Sequence, residues 1–221
     1  MAHAIGAIVV VDACQSVPNM PVSVRDLDVD FLAFSGHKMC APMGAGVLWG
    51  RPELLDRMPP FLGGGSMIER VDLDHSTWTE VPHKFEAGTP DVASAHGLAA
   101  ACDYLDAVGR DRIHEHERAL VGHVVDALDE VGGVTVHGPR DLTMRGGAVS
   151  FTMGDVHPHD VGAILDREGV ALRAGHHCCQ PLMRRLGVNA TARASVYLYT
   201  SHEEIDALAS ALGEVRRVFR V

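Results

Sequence analysis

The stretch Asp-Phe-Leu-Ala-Phe-Ser-Gly-His-Lys, residues 30–38, carries the strongest fold signal in the sequence. Its apolar part, 31–34, is short and continuous, which is typical of a strand buried on both faces of a mostly parallel sheet. Small and polar residues then follow and end at Lys38. Because α/β enzymes place their chemistry at the carboxyl ends of such strands, residues 35–38 are candidates for a functional site.

Two further apolar runs resemble this one and flank it in the chain. Residues 8–11 read Ile-Val-Val-Val and end at Asp12, and residues 46–49 read Gly-Val-Leu-Trp. Short runs rich in β-branched and aromatic side chains favour buried strands. We therefore predict an α/β fold in which residues 1–109 form part of a large domain with a mostly parallel sheet.

The second half of the sequence predicts a smaller domain. Apolar residues recur at helical spacing through 93–108 and again through 113–131, and we expect the second helix, within 110–133, to connect two domains. Residues 134–221 then predict a small α+β domain. Its predicted elements are strands at 134–137, 148–152, 170–173 and 194–199, a helix at 160–168, and a last helix that Ser201 and Glu204 begin as a capping box.

Composition excludes several classes of protein. The chain has 19 basic and 29 acidic residues, and its net charge of -10 would repel nucleic acid. Its five cysteines have no regular spacing, which favours a reducing cytoplasm over a disulfide framework. No apolar run approaches the length needed to span a membrane. These features predict a soluble, cytoplasmic globular protein.

A lysine and an acid stand at the ends of two predicted strands. Enzymes that use pyridoxal 5'-phosphate (PLP) need a lysine that binds the cofactor covalently, an acid beneath the pyridinium nitrogen, and donors for the phosphate. Asp12 and Lys38 have the chemistry for the first two. Spacing alone leaves an ordinary alternative, in which Asp12 is a strand-end acid and Lys38 a solvated surface lysine.

Six segments resemble motifs of one enzyme family and occur in the same order. The family is the Suf-type (group II) cysteine desulfurases, which are class V aminotransferase-like, fold-type I PLP-dependent transferases. The resemblance covers essentially all 221 residues. The segments are Val-Asp-Ala-Cys-Gln (11–15), Asp-Phe-Leu-Ala-Phe-Ser-Gly-His-Lys (30–38), Gly-Gly-Gly-Ser-Met-Ile (63–68), Phe-Glu-Ala-Gly-Thr-Pro (85–90), Arg-Ala-Gly-His-His-Cys (173–178) and Ala-Arg-Ala-Ser (192–195).

The resemblance implies a set of PLP-binding residues. Asp12 resembles the acid that pairs with the pyridinium nitrogen, and Gln15 the hydrogen-bond partner of the ring hydroxyl. Ser35 and His37 resemble phosphate ligands, since a hydroxyl and an imidazole can both donate to phosphate oxygens. Lys38 resembles the lysine that binds the cofactor covalently and later moves a proton.

Other roles implied by the resemblance involve substrate and partners. Thr89 resembles a phosphate ligand supplied by the other subunit of a homodimer, although Gly-Thr-Pro is also ordinary turn chemistry. Arg193 resembles the arginine that holds the substrate carboxylate, with a surface ion pair as its alternative. Cys178 resembles the nucleophile that accepts sulfur as a persulfide. His159 lies in a segment that resembles the contact with a sulfur-acceptor scaffold protein.

The function implied is conversion of L-cysteine to L-alanine, with sulfur passed through Cys178 to iron-sulfur cluster assembly. Selenocysteine lyase, acting on L-selenocysteine, shares nearly every motif and is an alternative. Family members are about twice as long, and the matching part is their C-terminal half. A catalytically incomplete fragment that acts as a binding or dimerisation module is therefore a third reading.

Several residues near Cys178 stay open. The cations expected to lower the pKa of Cys178 are Arg173, His176 and His177, but which histidine contacts cofactor or substrate is not fixed by the sequence. The adjacent ligands of His-His-Cys-Cys do not have the separated spacing of a zinc site, so we predict no metal. The sequence departs from the family pattern at Ala13-Cys14, at residues 40–43 and at Cys179, where thiols replace residues that are usually unreactive.

Overall fold

The computed structural model describes residues 1–221, which divide into two compact units, Met1–Arg110 and Asp111–Val221. We call them unit 1 and unit 2 and describe each by itself.

Unit 1 contains a three-stranded sheet in the order β1-β2-β3. The strands are β1 (Val10–Asp12), β2 (Phe31–Ser35) and β3 (Gly46–Gly50). β1 and β2 run parallel, whereas β3 runs antiparallel to β2. β3 is therefore an antiparallel member of the predicted, mostly parallel sheet. A parallel connection needs a dozen or more residues, usually a helix, and the link from β2 to β3 is shorter than that.

The sheet of unit 1 buries one of its faces better than the other. Leu32 belongs to a small buried cluster, against which Val11 and Trp49 pack. On the opposite face Val10 and Leu48 are 66% and 55% exposed. Because side chains alternate between the faces of a strand, the expectation that β1 and β3 are buried on both faces is wrong within this unit.

The remaining elements of unit 1 are short helices, one hairpin and one long helix. Residues 59–90 contain an antiparallel hairpin, and the long helix begins one residue before its predicted start. Its N-cap is Asp91, whose Oδ1 accepts a hydrogen bond from the Ser94 backbone N–H at 3.0 Å. The elements are α1 (Val24–Leu27), α2 (Pro52–Arg57), β4 (Ile68–Val71), β5 (Ser76–Trp78) and α3 (Val92–Val108).

Unit 2 is a small α+β structure with a four-stranded antiparallel sheet in the order β6-β7-β9-β8. A single core cluster unites residues of α4, α5, α7 and the strands β6, β7 and β9. The unit comprises α4 (Arg110–Val131), β6 (Val134–Val136), β7 (Ala148–Met153), α5 (Pro158–Arg167), β8 (Arg173–Gly175), α6 (Gln180–Leu186), β9 (Thr191–Ser195) and α7 (His202–Phe219).

Helix α4 contributes much of the core of unit 2, with Leu120, Val124 and Leu128 fully buried. The predicted role of this helix as a connection between domains, and the predicted boundaries around it, stay predictions. α4 also buries one charged side chain, Glu117, which is only 3% exposed and whose Oε1 atom has no hydrogen-bond partner. Burial raises the pKa of Glu117 to about 7.

Two predicted strands of unit 2 are displaced, and one predicted cap is confirmed. The strand predicted at 170–173 lies at Arg173–Gly175, and the strand predicted at 194–199 begins earlier, at Thr191. The apolar residues after Ser195 enter a turn, in which the Thr200 N–H donates to the Tyr197 carbonyl at 2.9 Å. Ser201 and Glu204 form the predicted capping box of α7.

Candidate active site

Four of the predicted cofactor residues, Asp12, Ser35, His37 and Lys38, lie together in unit 1. Asp12 and Ser35 end the parallel strands β1 and β2, so both lie at the same edge of the sheet. Cys14 connects them: its backbone N–H donates to Asp12 Oδ1 at 3.0 Å, and its Sγ lies 3.5 Å from Ser35 Oγ. The turn that carries Lys38 follows Ser35 directly.

The carboxylate of Asp12 is stabilised in its ionised form. Hydrogen bonds from the Cys14 thiol and from the Cys14 N–H lower the pKa of Asp12, and the positive charge of Lys38 lowers it further. Asp12 is therefore an anion at neutral pH and interacts electrostatically with Lys38. An acid in this state is the type that can keep a protonated ring nitrogen in place.

The turn at Gly36–Lys38 is anchored by its glycine. Gly36 is buried, and its N–H donates to the Ala45 carbonyl at 2.9 Å. A Cβ at this position would lie 3.1 Å from the same carbonyl oxygen, which is tighter than nearly all real contacts of this kind. Glycine thus lets the turn lie against β3, while His37 and Lys38 remain exposed.

The other two predicted cofactor residues of unit 1 lie in loops. Gln15 is exposed just after β1, and its carbonyl accepts a hydrogen bond from Asn19 Nδ2 at 2.9 Å. Thr89 is exposed and follows Gly88, whose N–H donates to the Gly65 carbonyl at 2.9 Å. No hydrogen bond joins Thr89 to the group around Asp12, so the structure does not bring Thr89 into that group.

In unit 2, Cys178 lies in the loop between β8 and α6. Cys178 is exposed, and both it and His177 adopt left-handed backbone conformations, with φ of 60° and 53°. Few non-glycine residues adopt this conformation. The loop closes with a hydrogen bond from the Cys179 N–H to the His176 carbonyl at 2.9 Å. The sulfur atom is thereby presented at the surface by an unusual backbone.

His177 fixes this loop to strand β9. Its Nε2 lies 3.1 Å from the carbonyl oxygen of Thr191 and 2.9 Å from Oγ1 of the same residue. A carbonyl can only accept, so Nε2 carries the proton and the buried Nδ1, which has no partner, is the acceptor side of the ring. Burial lowers the pKa of His177, and the charge of Arg193 lowers it further.

This finding corrects one expectation from the sequence. His177 is neutral at neutral pH, because its lowered pKa disfavours the imidazolium, so it does not act as a cation beside Cys178. Sequence reasoning also missed two positioning residues, Thr191 and Cys14. Thr191 acts through a contact with a segment distant in sequence, which no local pattern reveals. Cys14 lies within the 11–15 motif, but as a departure from its usual residue.

Two arginines lie opposite each other beside this loop. Arg193 on β9 pairs in register with Arg173 on β8, and burial together with the charge of Arg173 lowers the pKa of Arg193. Arg193 Nε donates to Ser195 Oγ at 3.2 Å. Neither guanidinium forms an ion pair with a carboxylate of the chain, which contradicts the surface ion-pair alternative. Two unpaired guanidinium groups favour the binding of an external anion.

A cavity of about 440 Å³ lies at this loop, and its lining includes Arg173, His176, His177 and Cys178 but not Arg193. His159 lies away from it, exposed in the first turn of α5, with its ring 5.0 Å from that of His157. No group of three or more His, Cys, Asp or Glu side chains is arranged to hold a metal ion.

The residues of unit 1 fit PLP by their chemistry. Lys38 offers an exposed amine, Asp12 an ionised carboxylate, and Ser35 and His37 donors for phosphate oxygens, all at one edge of the sheet.

Among the helices of the chain, none combines the length and the apolar character needed to cross a bilayer.

Comparisons with known proteins identify the family of the chain. The sequence profile of the family described as Aminotransferase class-V matches residues 1–208. A protein of Streptomyces coelicolor named "probable cysteine desulfurase" is 55% identical over 218 residues, which are 99% of this chain and 52% of that protein. The chain thus spans about half the length of the curated relatives that it matches.

Two solved structures are similar over nearly the whole chain. The apo structure of a cysteine desulfurase from Thermococcus onnurineus NA1 has a TM-score of 0.94 at 46% identity, covering 98% of this chain and 54% of that one. A cysteine desulfurase from Escherichia coli, solved in an S-sulfonic acid form, has a TM-score of 0.92 at 40% identity, covering 98% of this chain and 53% of that one.

Proposed function

From the premise that this chain belongs to the class V aminotransferase family and has a fold-type I architecture, we propose that it forms the C-terminal half of a PLP-dependent cysteine desulfurase. The reaction would convert L-cysteine to L-alanine and leave the sulfur as a persulfide on Cys178. The observation that carries this proposal is the ionised Asp12 beside Lys38 at the edge of the sheet in unit 1.

Each of the cofactor residues would have a separate role. PLP, when bound, supplies the electron sink that weakens bonds at the substrate α-carbon. The negative charge of Asp12 would hold a proton on the ring nitrogen, and the hydroxyl of Ser35 and the ring of His37 would donate to the phosphate. Gln15 would orient the ring hydroxyl. The exposed amine of Lys38 would bind the cofactor and, when released by substrate, move a proton.

The residues of unit 2 would handle the substrate and its sulfur. Arg193, unpaired and partly buried, would bind the carboxylate of L-cysteine through its planar donor fork. The Cys178 thiolate would attack the substrate sulfur, forming an S–S bond as the C–S bond breaks. The substrate carbon takes up a proton, so that L-cysteine and one thiol become L-alanine and one persulfide.

The test follows sulfur to a particular residue. The chain is joined to the N-terminal half of the Streptomyces coelicolor relative, incubated with PLP and L-cysteine, and digested for mass spectrometry. We expect the added sulfur on Cys178, and its loss in Cys178→Ser. Cys179→Ser, a matched change one residue away, should keep most of the activity. Sulfur found on Cys179 alone would contradict the proposed roles.

The wider assignments are also proposals. A homodimer would bring Thr89 of one subunit to the phosphate of the other. The sulfur acceptor would be a scaffold protein of iron-sulfur assembly that contacts the exposed His159, and the protein would work in the cytoplasm. Selenocysteine lyase remains the alternative within the class, and competition between L-cysteine and L-selenocysteine separates the two.

One observation favours a second function for the 221-residue chain by itself. The exposed apolar side chains of Val10 and Leu48 suit a binding or dimerisation module better than a finished enzyme. Titration of this chain with PLP distinguishes the two. A module without a complete cofactor site would bind PLP weakly, and the absorbance of bound PLP would not reach one equivalent per chain. One equivalent of bound PLP together with full turnover would exclude the module reading.

A further inference from the structure

A group of three side chains outside the candidate active site joins two helices of unit 2. His123 lies on α4, whereas His202 and Asp206 lie one turn apart at the start of α7. The Nδ1 atoms of His123 and His202 are 2.8 Å apart, and His123 Nε2 is 2.9 Å from Asp206 Oδ1. The ring planes differ by 29° and their centroids lie 5.0 Å apart, so the two rings meet end to end at their Nδ1 atoms.

The protons of this group follow from its partners. An ionised carboxylate only accepts hydrogen bonds, so the nitrogen of His123 that faces Asp206 carries a proton. In the neutral ring, Nδ1 of His123 then carries no proton, and its lone pair points at Nδ1 of His202. One proton can lie between these two nitrogens. When His202 carries its proton on Nε2 instead, two lone pairs face a common point.

Two converging imidazole lone pairs match the preference of a transition-metal dication. Two nitrogens bound tetrahedrally at about 2.0–2.1 Å from zinc lie roughly 3.3 Å apart. The observed separation is 2.8 Å, so binding would require the two nitrogens to move apart by about 0.5 Å. The exposed ring of His202, at the first position of its helix, would rotate to admit the ion.

Asp206 supplies a second, independent indication. Histidines that bind metals usually donate their other N–H to a carboxylate, which fixes the tautomer and the ring orientation. The contact from His123 Nε2 to Asp206 has this arrangement. We propose that His123 and His202 form a binding site for a zinc-class dication, with Asp206 holding the His123 ring and water completing the coordination.

The site would connect the two helices that carry most of the core of unit 2. His123 precedes the fully buried Val124, and Asp206 follows the buried Ile205. Since unit 2 has no group of three or more protein ligands, the ion would keep open positions and exchange readily. Binding to the folded state alone would raise the unfolding temperature as zinc is added.

The test uses the 221-residue chain with Cys178 and Cys179 both changed to serine, so that these thiols do not compete for zinc. ¹⁵N-histidine NMR assigns the protonated nitrogen of each ring, and ZnCl₂ is then added while calorimetry measures the stoichiometry. We expect His123 to be protonated on Nε2, and the Nδ1 signals of His123 and His202 to shift at the same zinc equivalent.

Variants then separate this site from other histidines. His123→Gln and His202→Gln should each remove one zinc equivalent, and Asp206→Asn should weaken its binding by roughly 10–100-fold. His157→Asn is the matched control, because it removes one ring of the other close histidine pair and keeps a good N-cap for α5.

The proposal fails if zinc binding is the same in His202→Gln as in the parent, or if His123 is protonated on Nδ1. His202 is exposed at the first position of α7, so its replacement gives a folded reference even if His123→Gln does not fold. All readings are taken without PLP or substrate, so their outcome is independent of the proposed desulfurase activity.

Discussion

The two units of this chain differ in how well each one buries its own apolar residues. Unit 2 has a single cluster of nineteen buried residues that includes the sheet and three helices. The corresponding cluster of the sheet in unit 1 has three, Ala13, Val29 and Leu32, while Val10 and Leu48 remain exposed. Unit 2 is therefore the self-supporting part of the chain, and unit 1, which carries the cofactor residues, gains most from a further covering surface.

The largest expected effect comes from the lysines of unit 1, which is the unit that carries the cofactor residues. The chain contains only Lys38, which is exposed, and Lys84, which is buried and donates to the Asp56 carbonyl at 2.8 Å. We expect Lys38→Ala to abolish both covalent attachment of PLP and turnover, with a stability change below about 0.5 kcal/mol. Borohydride reduction in the presence of PLP, followed by mass spectrometry, locates the labelled lysine.

Lys84→Met is the control for that experiment. It should keep the PLP label on Lys38 but destabilise unit 1, because the Asp56 carbonyl loses its donor. Labelling of Lys84 in the parent chain would show that the assignment of the cofactor lysine is wrong.

A core truncation tests whether unit 2 is the self-supporting part. Phe151 is fully buried in its cluster, so Phe151→Ala should lower the free energy of unfolding of unit 2 by about 3–5 kcal/mol. Both tryptophans, Trp49 and Trp78, lie in unit 1. Denaturant unfolding followed by circular dichroism should therefore show a large decrease in the midpoint concentration. The midpoint measured by tryptophan fluorescence should decrease less or not at all.

The exposed Leu48 provides the comparison for that change. Leu48→Ala in unit 1 should alter stability by less than about 0.5 kcal/mol. Equal effects of the two truncations on both signals would mean that the units do not differ in packing as described.

The buried Glu117 makes the stability of unit 2 depend on pH. Its folded pKa of about 7 lies above its usual value of 4.5, so the folded state favours the protonated form. The associated stability is fully present below pH 4.5 and is lost as the pH rises through 7, a loss of roughly 3 kcal/mol at most. Glu117→Gln should remove this loss and stabilise the chain at pH 8 but not at pH 4.

Glu115→Gln, at an exposed position of the same helix, controls for the removal of one negative charge. Urea midpoints at both pH values give the answer. A pH dependence that persists in Glu117→Gln would assign it to another group.

The smallest expected effect concerns the capping box of α7. Ser201 Oγ accepts from the Glu204 N–H at 3.4 Å, and Glu204 Oε2 accepts from the Ser201 N–H at 2.8 Å. Ser201→Ala should cost about 1 kcal/mol, seen by circular dichroism. Ser210→Ala, in the exposed interior of the same helix, should cost nothing or stabilise slightly. Equal costs would show that the cap contributes little.

The local signals predicted most elements and the residues at the strand ends. The apolar runs before Asp12 and Ser35 gave two strands at nearly their observed positions, and Ser201 gave the start of α7, because these patterns depend only on neighbouring residues. The orientation of β3 and the shift of β9 to Thr191 were not predicted. Both depend on connection length and on pairing with distant strands, which periodicity does not contain.

The candidate site divides in the same way. Motifs identified Lys38, Cys178 and Arg193 as candidates, but the neutral state of His177 depends on its burial and on Arg193 of a strand distant in sequence. The predicted roles of all the site residues, including Gln15, Thr89 and His159, stay predictions.

The left-handed backbone at His177 and Cys178 has a consequence for the stability of this loop. A residue other than glycine in this conformation lowers the stability of the fold by roughly 1–2 kcal/mol relative to glycine. Glycine at either position is therefore expected to stabilise the fold, but it would remove a side chain on which the proposed function depends. Positions 177 and 178 are thus where a computational stabilisation of this chain would most readily improve the fold and remove side chains that the proposed function needs.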